Sequence, residues 1–141
     1  MSKQLPSQEK TIFLLCEDIR QELGGKISLL GVIPANHLTL EGMPQNSADA
    51  VIPSLTFVFL FRDGEGEFNG KVGIIAPDEK ELIPENEHPM KKGAKDTMNT
   101  IFKLAPFKVM TGKFKPYVVL DGQRYEREFE VQQIQSSPAP A

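Results

Sequence analysis

The chain has no tryptophan, two tyrosines, two histidines and a single cysteine in 141 residues. One cysteine, Cys16, excludes an internal disulfide and any cysteine-rich zinc site. An excess of positive charge is missing too: 16 Lys plus Arg stand against 19 Asp plus Glu, a formal net charge of -3. Duplex binding needs a basic face, so the balance speaks against a nucleic-acid partner. The longest basic cluster, Met90 to Lys95, stops at Asp96 and reads as a solvated loop. No apolar run approaches the roughly 20 residues of a membrane helix, and the opening MSKQLPSQEK has no signal-peptide core. The expectation is a soluble, cytoplasmic protein without a membrane span. No Gly-x-Ser-x-Gly elbow, phosphate loop or His-Glu-x-x-His pair occurs, so no catalytic residue and no cofactor is implied.

The stretch Thr11 to Ile33 organises what is present. Leu15, Ile19 and Leu23 lie four apart ahead of Gly24, which fits a short amphipathic helix with a glycine cap. Two strands folded over Leu23-Gly24-Gly25 account for the whole length better. A three-residue loop sets Glu22 opposite Lys26, Ile19 opposite Leu29, Leu15 opposite Ile33 and Gln21 opposite Ile27, and cross-strand pairs of this kind stabilise a sheet. A glycine at the third loop position supplies the left-handed conformation such a loop needs.

Beyond it, Met1 to Lys10 reads as a flexible tail. Pro34-Ala35-Asn36 is a turn, His37 to Leu40 a short extended piece, and Glu41 to Ala50 a loop. In Val51 to Arg62 the row Leu55, Phe57, Phe59, Phe61 alternates with Thr56, Val58, Leu60, Arg62. Phe68 to Ala76 returns, with Gly70 and Gly73 marking a close approach or a bulge. Glu81 to Lys95 is the least structured interior stretch, a functional or mobile loop. Met98 to Leu104 alternates again, and Ala105 to Gly112 is a connection. Asp121-Gly122 is a two-residue turn signal that sets Val118 opposite Tyr125 and Phe114 opposite Phe129. In that register Pro116 meets Arg127 without an N–H to offer, so a bulge or loss of pairing is expected there. The end, SSPAPA from Ser136, is disordered in composition. About eight strands between turn signals predict an all-β protein. We expect an antiparallel β-sandwich of immunoglobulin-like or related Greek-key topology, one domain over 11–135.

Cys16-Glu17-Asp18-Ile19-Arg20, then Gly25-Lys26, then Leu30-Gly31-Val32, resembles the opening of a family of small bacterial proteins of unknown function. Members share a C-(D/E)-D-x-R pattern, a following G-K-x-x-x-x-G, and a hairpin near the end. The resemblance implies a β-rich protein and carries over no catalytic residues. Locally, Gly112-Lys113-Phe114 is similar to the Gly-x-aromatic lead into a late strand of immunoglobulin-like modules. The paired cysteines and core tryptophan of antibody-type domains are absent.

Cys16, His37 and His88 are the materials of a thiol nucleophile with its base; the bland reading is a core cysteine and two surface histidines. Asp63, Glu65 and Glu67, with Asp78 in the next turn, offer oxygen ligands of the kind calcium takes in C2-like loops, against the simpler reading of soluble turns. Glu17 needs a partner or a place at the rim, and Asp18 and Arg20 share the opposite side. The expectation is therefore a non-enzymatic binding or assembly module. Val58 and Leu60, apolar on the face opposite the phenylalanine row, are its predicted homodimer interface; a metal- or thiol-dependent enzyme is the alternative.

Overall fold

The computed structural model describes residues 3–33, 36–41 and 51–134. Within them the chain forms twelve strands and no α-helix. In order these are β1 (Thr11–Gln21), β2 (Ile27–Val32), β3 (His37–Glu41), β4 (Val51–Ile52), β5 (Leu55–Phe61) and β6 (Gly66–Ile75). Then follow β7 (His88–Lys92), β8 (Met98–Leu104), β9 (Phe107–Lys108), β10 (Gly112–Leu120), β11 (Gln123–Glu126) and β12 (Phe129–Ile134). One antiparallel sheet has the order β2-β1-β5-β8. The other runs β3-β12-β10-β6-β7, with β11 also on β10 and one parallel pair, β3 with β12. A short ribbon, β4 with β9, completes the pairing.

Aromatic side chains close the two sheets face to face. Phe57 of the first sheet lies 5.7 Å from Phe129 of the second, and Phe61 meets Tyr125 edge-on at 5.0 Å. The row Leu55, Phe57, Phe59, Phe61 lies wholly in this core, with Phe13 and Leu15 from β1. The result is an all-β sandwich, as the alternation predicts.

The first hairpin adopts the expected register. Ile19 pairs with Leu29 and Gln21 with Ile27, and the Glu22 N–H donates to the Lys26 carbonyl at 2.8 Å. β1 is unbroken to Gln21, which excludes the helix, and only a 3-10 turn spans Leu23–Gly25. The left-handed residue there is Gly24, in the middle of the loop, with φ 79°.

The late hairpin also matches. Val118 faces Tyr125 and Phe114 faces Phe129, across a turn in which Asp121 and Gly122 both have positive φ. Pro116 divides its second strand. The Arg127 N–H donates to the Pro116 carbonyl at 2.9 Å, proline returns nothing, and β11 ends one residue earlier. The register is the same on both sides of the gap, so pairing lapses without a bulge.

Other expectations need correction. Val51 to Arg62 is two strands, broken at Pro53-Ser54, and the connection after Leu104 contributes β9. Glu81 to Lys95 is not a free loop. The Asn86 side chain accepts from the Val72 N–H and donates to the Val72 carbonyl, replacing a strand neighbour, and β7 then pairs with β6 from Gly66 to Gly70. Residues 3–10 read from composition as a tail, yet they are tied down. Gln4 bridges to Glu65, the Ser7 N–H donates to Asp63 at 2.9 Å, and the Tyr125 hydroxyl donates to the Pro6 carbonyl at 2.6 Å. Residues 1–2, the turn at 34–35, the loop at 42–50 and the tail from 135 lie outside the described residues.

Candidate interaction face

Strand alternation sends one set of side chains from the first sheet into the core and the other outward. The outward set is apolar across its middle and polar at its ends. Ile12 pairs with Leu60, Leu14 with Val58, and Cys16 with Thr56. On the far side of β5, Val58 pairs with Ile101; on the near side of β1, Cys16 pairs with Val32 and Asp18 with Leu30. Ile12, Leu14, Cys16, Leu30, Val32, Val58, Leu60 and Ile101 thus share one face, and none of them joins the cluster packed between the two sheets, although Cys16 and Val58 are themselves buried.

Accessibility grades across this surface. Cys16 and Val58 are fully buried, Leu60 is partly buried, and Leu30 and Val32 at the β2 edge are 45% and 47% exposed. Of the two predicted interface residues, Val58 is therefore the enclosed centre of the row. The reach for contact lies with Leu60 and with neighbours that the reading of β5 alone did not include. The run Ile12 to Cys16 is apolar on both faces in the sequence, and the same alternation argument could have found it.

Charges rim the face. Asp18 accepts from its neighbour's N–H, at Ile19, and from Lys103 at 3.1 Å; the first and then the second hold its carboxyl below the usual range. Glu17 points to the other side of β1, exposed, with its side chain over Gly31 in space a Cβ there would fill. The Ser54 and Thr56 hydroxyls donate to its carbonyl, closing the end of the β1–β5 ladder.

The thiol constellation does not assemble. Cys16 points out of the first sheet, while His37 and His88 sit on β3 and β7, the two opposite edges of the second. Burial, then the negative charge of Asp18, pushes the Cys16 thiol up. The acidic turns do not converge either. Asp63, Glu65 and Glu67 lie at the start of β6 and Asp78 beyond its end, about 30 Å away at strand rise. Asp63 is committed to Ser7, whose N–H and hydroxyl, helped by Lys10, outweigh burial and lower its carboxyl. Among the described residues no three carboxylate, thiol or imidazole groups gather as a metal set.

A polar cleft on the second sheet escaped the sequence reading. Tyr117 crosses Gly73 and donates its hydroxyl to Glu81 at 2.8 Å, with the Arg124 guanidinium 3.8 Å from the ring centre. Lys71, Glu85 and Asn86 complete a hollow of about 170 Å³. Its charges pair with each other, Lys71 with Glu85 and Arg124 with Glu126. No helix among the described residues is long and apolar enough to cross a membrane.

Compared with known families, residues 11–132 match one described as "Family of unknown function (DUF6941)". The match reports neither the opening motif nor the immunoglobulin-like likeness at Gly112. No curated protein matches the chain.

Proposed function

We propose, for a chain that belongs to this family of unknown function, that it is a non-enzymatic assembly module whose copies join through the outer face of the four-stranded sheet. One observation carries the reading: on the outer side of four neighbouring strands six partly or well exposed apolar side chains surround the buried Cys16 and Val58, and all eight stay out of the cluster between the sheets. Soluble monomers seldom leave a contiguous apolar patch beyond a few hundred Å² uncovered.

A second copy is the occupant that fits. The rim carries both signs: Asp18 pairs with Lys103 at 3.1 Å and Arg20 approaches Glu22 at 3.9 Å, so each copy offers opposite charges to the other across a two-fold contact. Two-fold contacts between identical patches are also the commonest oligomeric interface. Val58 and Leu60 then sit at or near the seam of a homodimer.

Because Val58 is enclosed, a charge there would be buried without a partner, and the test belongs at its partly exposed neighbours. Leu60→Lys with Ile101→Lys is expected to lower the sedimentation mass while far-UV circular dichroism stays unchanged. An unchanged mass in a folded double variant would move the contact elsewhere.

A further inference from the structure

The β1–β2 hairpin outruns the sheet that holds it. β5 pairs with β1 only from Thr11 to Cys16, whereas β1 and β2 stay paired out to Gln21 and Ile27. Past Glu17 the hairpin is a two-stranded ribbon, and such ribbons are marginal in water by themselves. One side of it carries Ile19, Ile27 and Leu29, partly exposed and packed against no part of the core. Among the described residues four large apolar side chains are well exposed, and three lie here: Leu23 at the tip, 95% exposed, with Leu30 and Val32.

Among the described residues β2 has no neighbour along its outer edge, and its own sequence does not guard it. Natural edge strands carry charges, prolines or bulges that stop another chain from pairing. Among the described residues the two large sheets have five strands with an open edge, β2, β8, β3, β7 and β11, of which β11 carries Arg124 and Glu126. β8 has Lys103, β3 has Glu41, and β7 has Pro89 and two lysines. β2 alone, Ile27 to Val32, holds neither a charge nor a proline; its one irregularity, Gly31 with φ 66°, comes after the straight run Ile27 to Leu30.

We infer that β2 is a strand-pairing arm whose occupant is the β2 of a second copy, antiparallel across a two-fold axis near Leu29 and Leu30. In such a pair every side chain meets a residue of the same short segment. A charge would face its own kind or an apolar group, and β2 has none to clash. Backbone N–H and C=O groups on both free edges are satisfied, and the Ile27 and Leu29 rows of the two copies become neighbours on one side. This contact runs along the β2 backbone edge and adjoins the apolar face of the proposed assembly at Leu30 and Val32. It joins copies edge to edge, so the two contacts together build species larger than two chains.

The test is sedimentation with amide hydrogen exchange on the full chain, for the wild type, Leu29→Lys, Leu60→Lys/Ile101→Lys, and all three substitutions together. Ser28→Lys, which removes no apolar side chain, repeats the edge test without that loss of packing. Expected are wild-type species beyond two chains and slowing of Ile27 to Val32 amide exchange as concentration rises. Either edge variant abolishes the slowing and caps assembly at two chains. The face variant keeps the slowing, and the triple variant is monomeric. Wild-type association with β2 exchange independent of concentration, and a mass indifferent to Leu29→Lys and Ser28→Lys, would overturn the arm and leave the face reading standing. Loss of mass on the edge variants alone would do the reverse, and a wild-type monomer at all concentrations overturns both.

Discussion

Tyr117 occupies the space above Gly73. The two residues are directly opposite on β10 and β6, and the ring lies where a Cβ at 73 would stand. Gly73→Ala therefore forces the ring out, and overpacking of this kind costs about 1–3 kcal/mol. The cost is expected to shrink in the Tyr117→Ala background, because the clash needs both groups. Urea denaturation of the two single variants and the double variant measures it; strictly additive losses would contradict the contact.

Alkaline pH probes both tyrosines together. Burial first, then the hydrogen bond to Glu81, pushes Tyr117 up to about 12; burial first, then the charge of Asp63, pushes Tyr125 to about 12. A phenol whose folded value exceeds its unfolded value near 10 stabilises the fold fully below pH 10 and loses that contribution as pH rises towards 12. With two tyrosines and no tryptophan, phenolate absorbance reports on these residues alone. We expect little phenolate at pH 10 and its appearance together with unfolding above it. Half-ionisation near pH 10 in a folded chain would be the contrary result.

Cys16 is expected to react slowly with thiol reagents in the native protein. Its side chain is fully buried and its thiol is shifted up by burial and by Asp18, so thiolate is scarce where reagent must reach it. Labelling at the rate of the denatured chain would show that the outer face opens freely.

Asp63 bears on stability rather than on calcium. As the acceptor for the Ser7 N–H, it holds residues 3–10 against the sandwich. Asp63→Ala is expected to cost about 1 kcal/mol and to speed proteolysis before Thr11. Since its carboxyl is lowered on folding, its contribution is present above the unfolded value near 4 and is lost as pH falls through the folded one. A melting temperature that rises with calcium in the wild type and not in this variant would instead make the turn a calcium site.

The two hairpins were legible because each register is fixed locally. Asp121-Gly122 sets the turn, and only one register brings Phe114 onto Phe129. β7 was hidden for a physical reason. Lys92 points inward, 2% exposed, and its ammonium donates to the carbonyls of Gly64 and Gly93, so His88 to Lys92 shows no apolar alternation. The parallel pairing of β3 with β12 joins segments about 90 residues apart, which no local pattern encodes. The outer apolar face was half legible. Val58 and Leu60 follow from β5 alone, but their neighbours Leu14 and Ile101 follow only from which strands pair with it. The hold on residues 3–10 rests on backbone groups meeting distant side chains, and polarity says nothing of that.

We propose that copies of this chain meet through the outer face of the four-stranded sheet. Sedimentation of the unmodified full-length chain, followed across the micromolar range, tests it most directly. The account predicts a mass of at least two chains that dissociates on dilution. A single-chain mass at every concentration would contradict it.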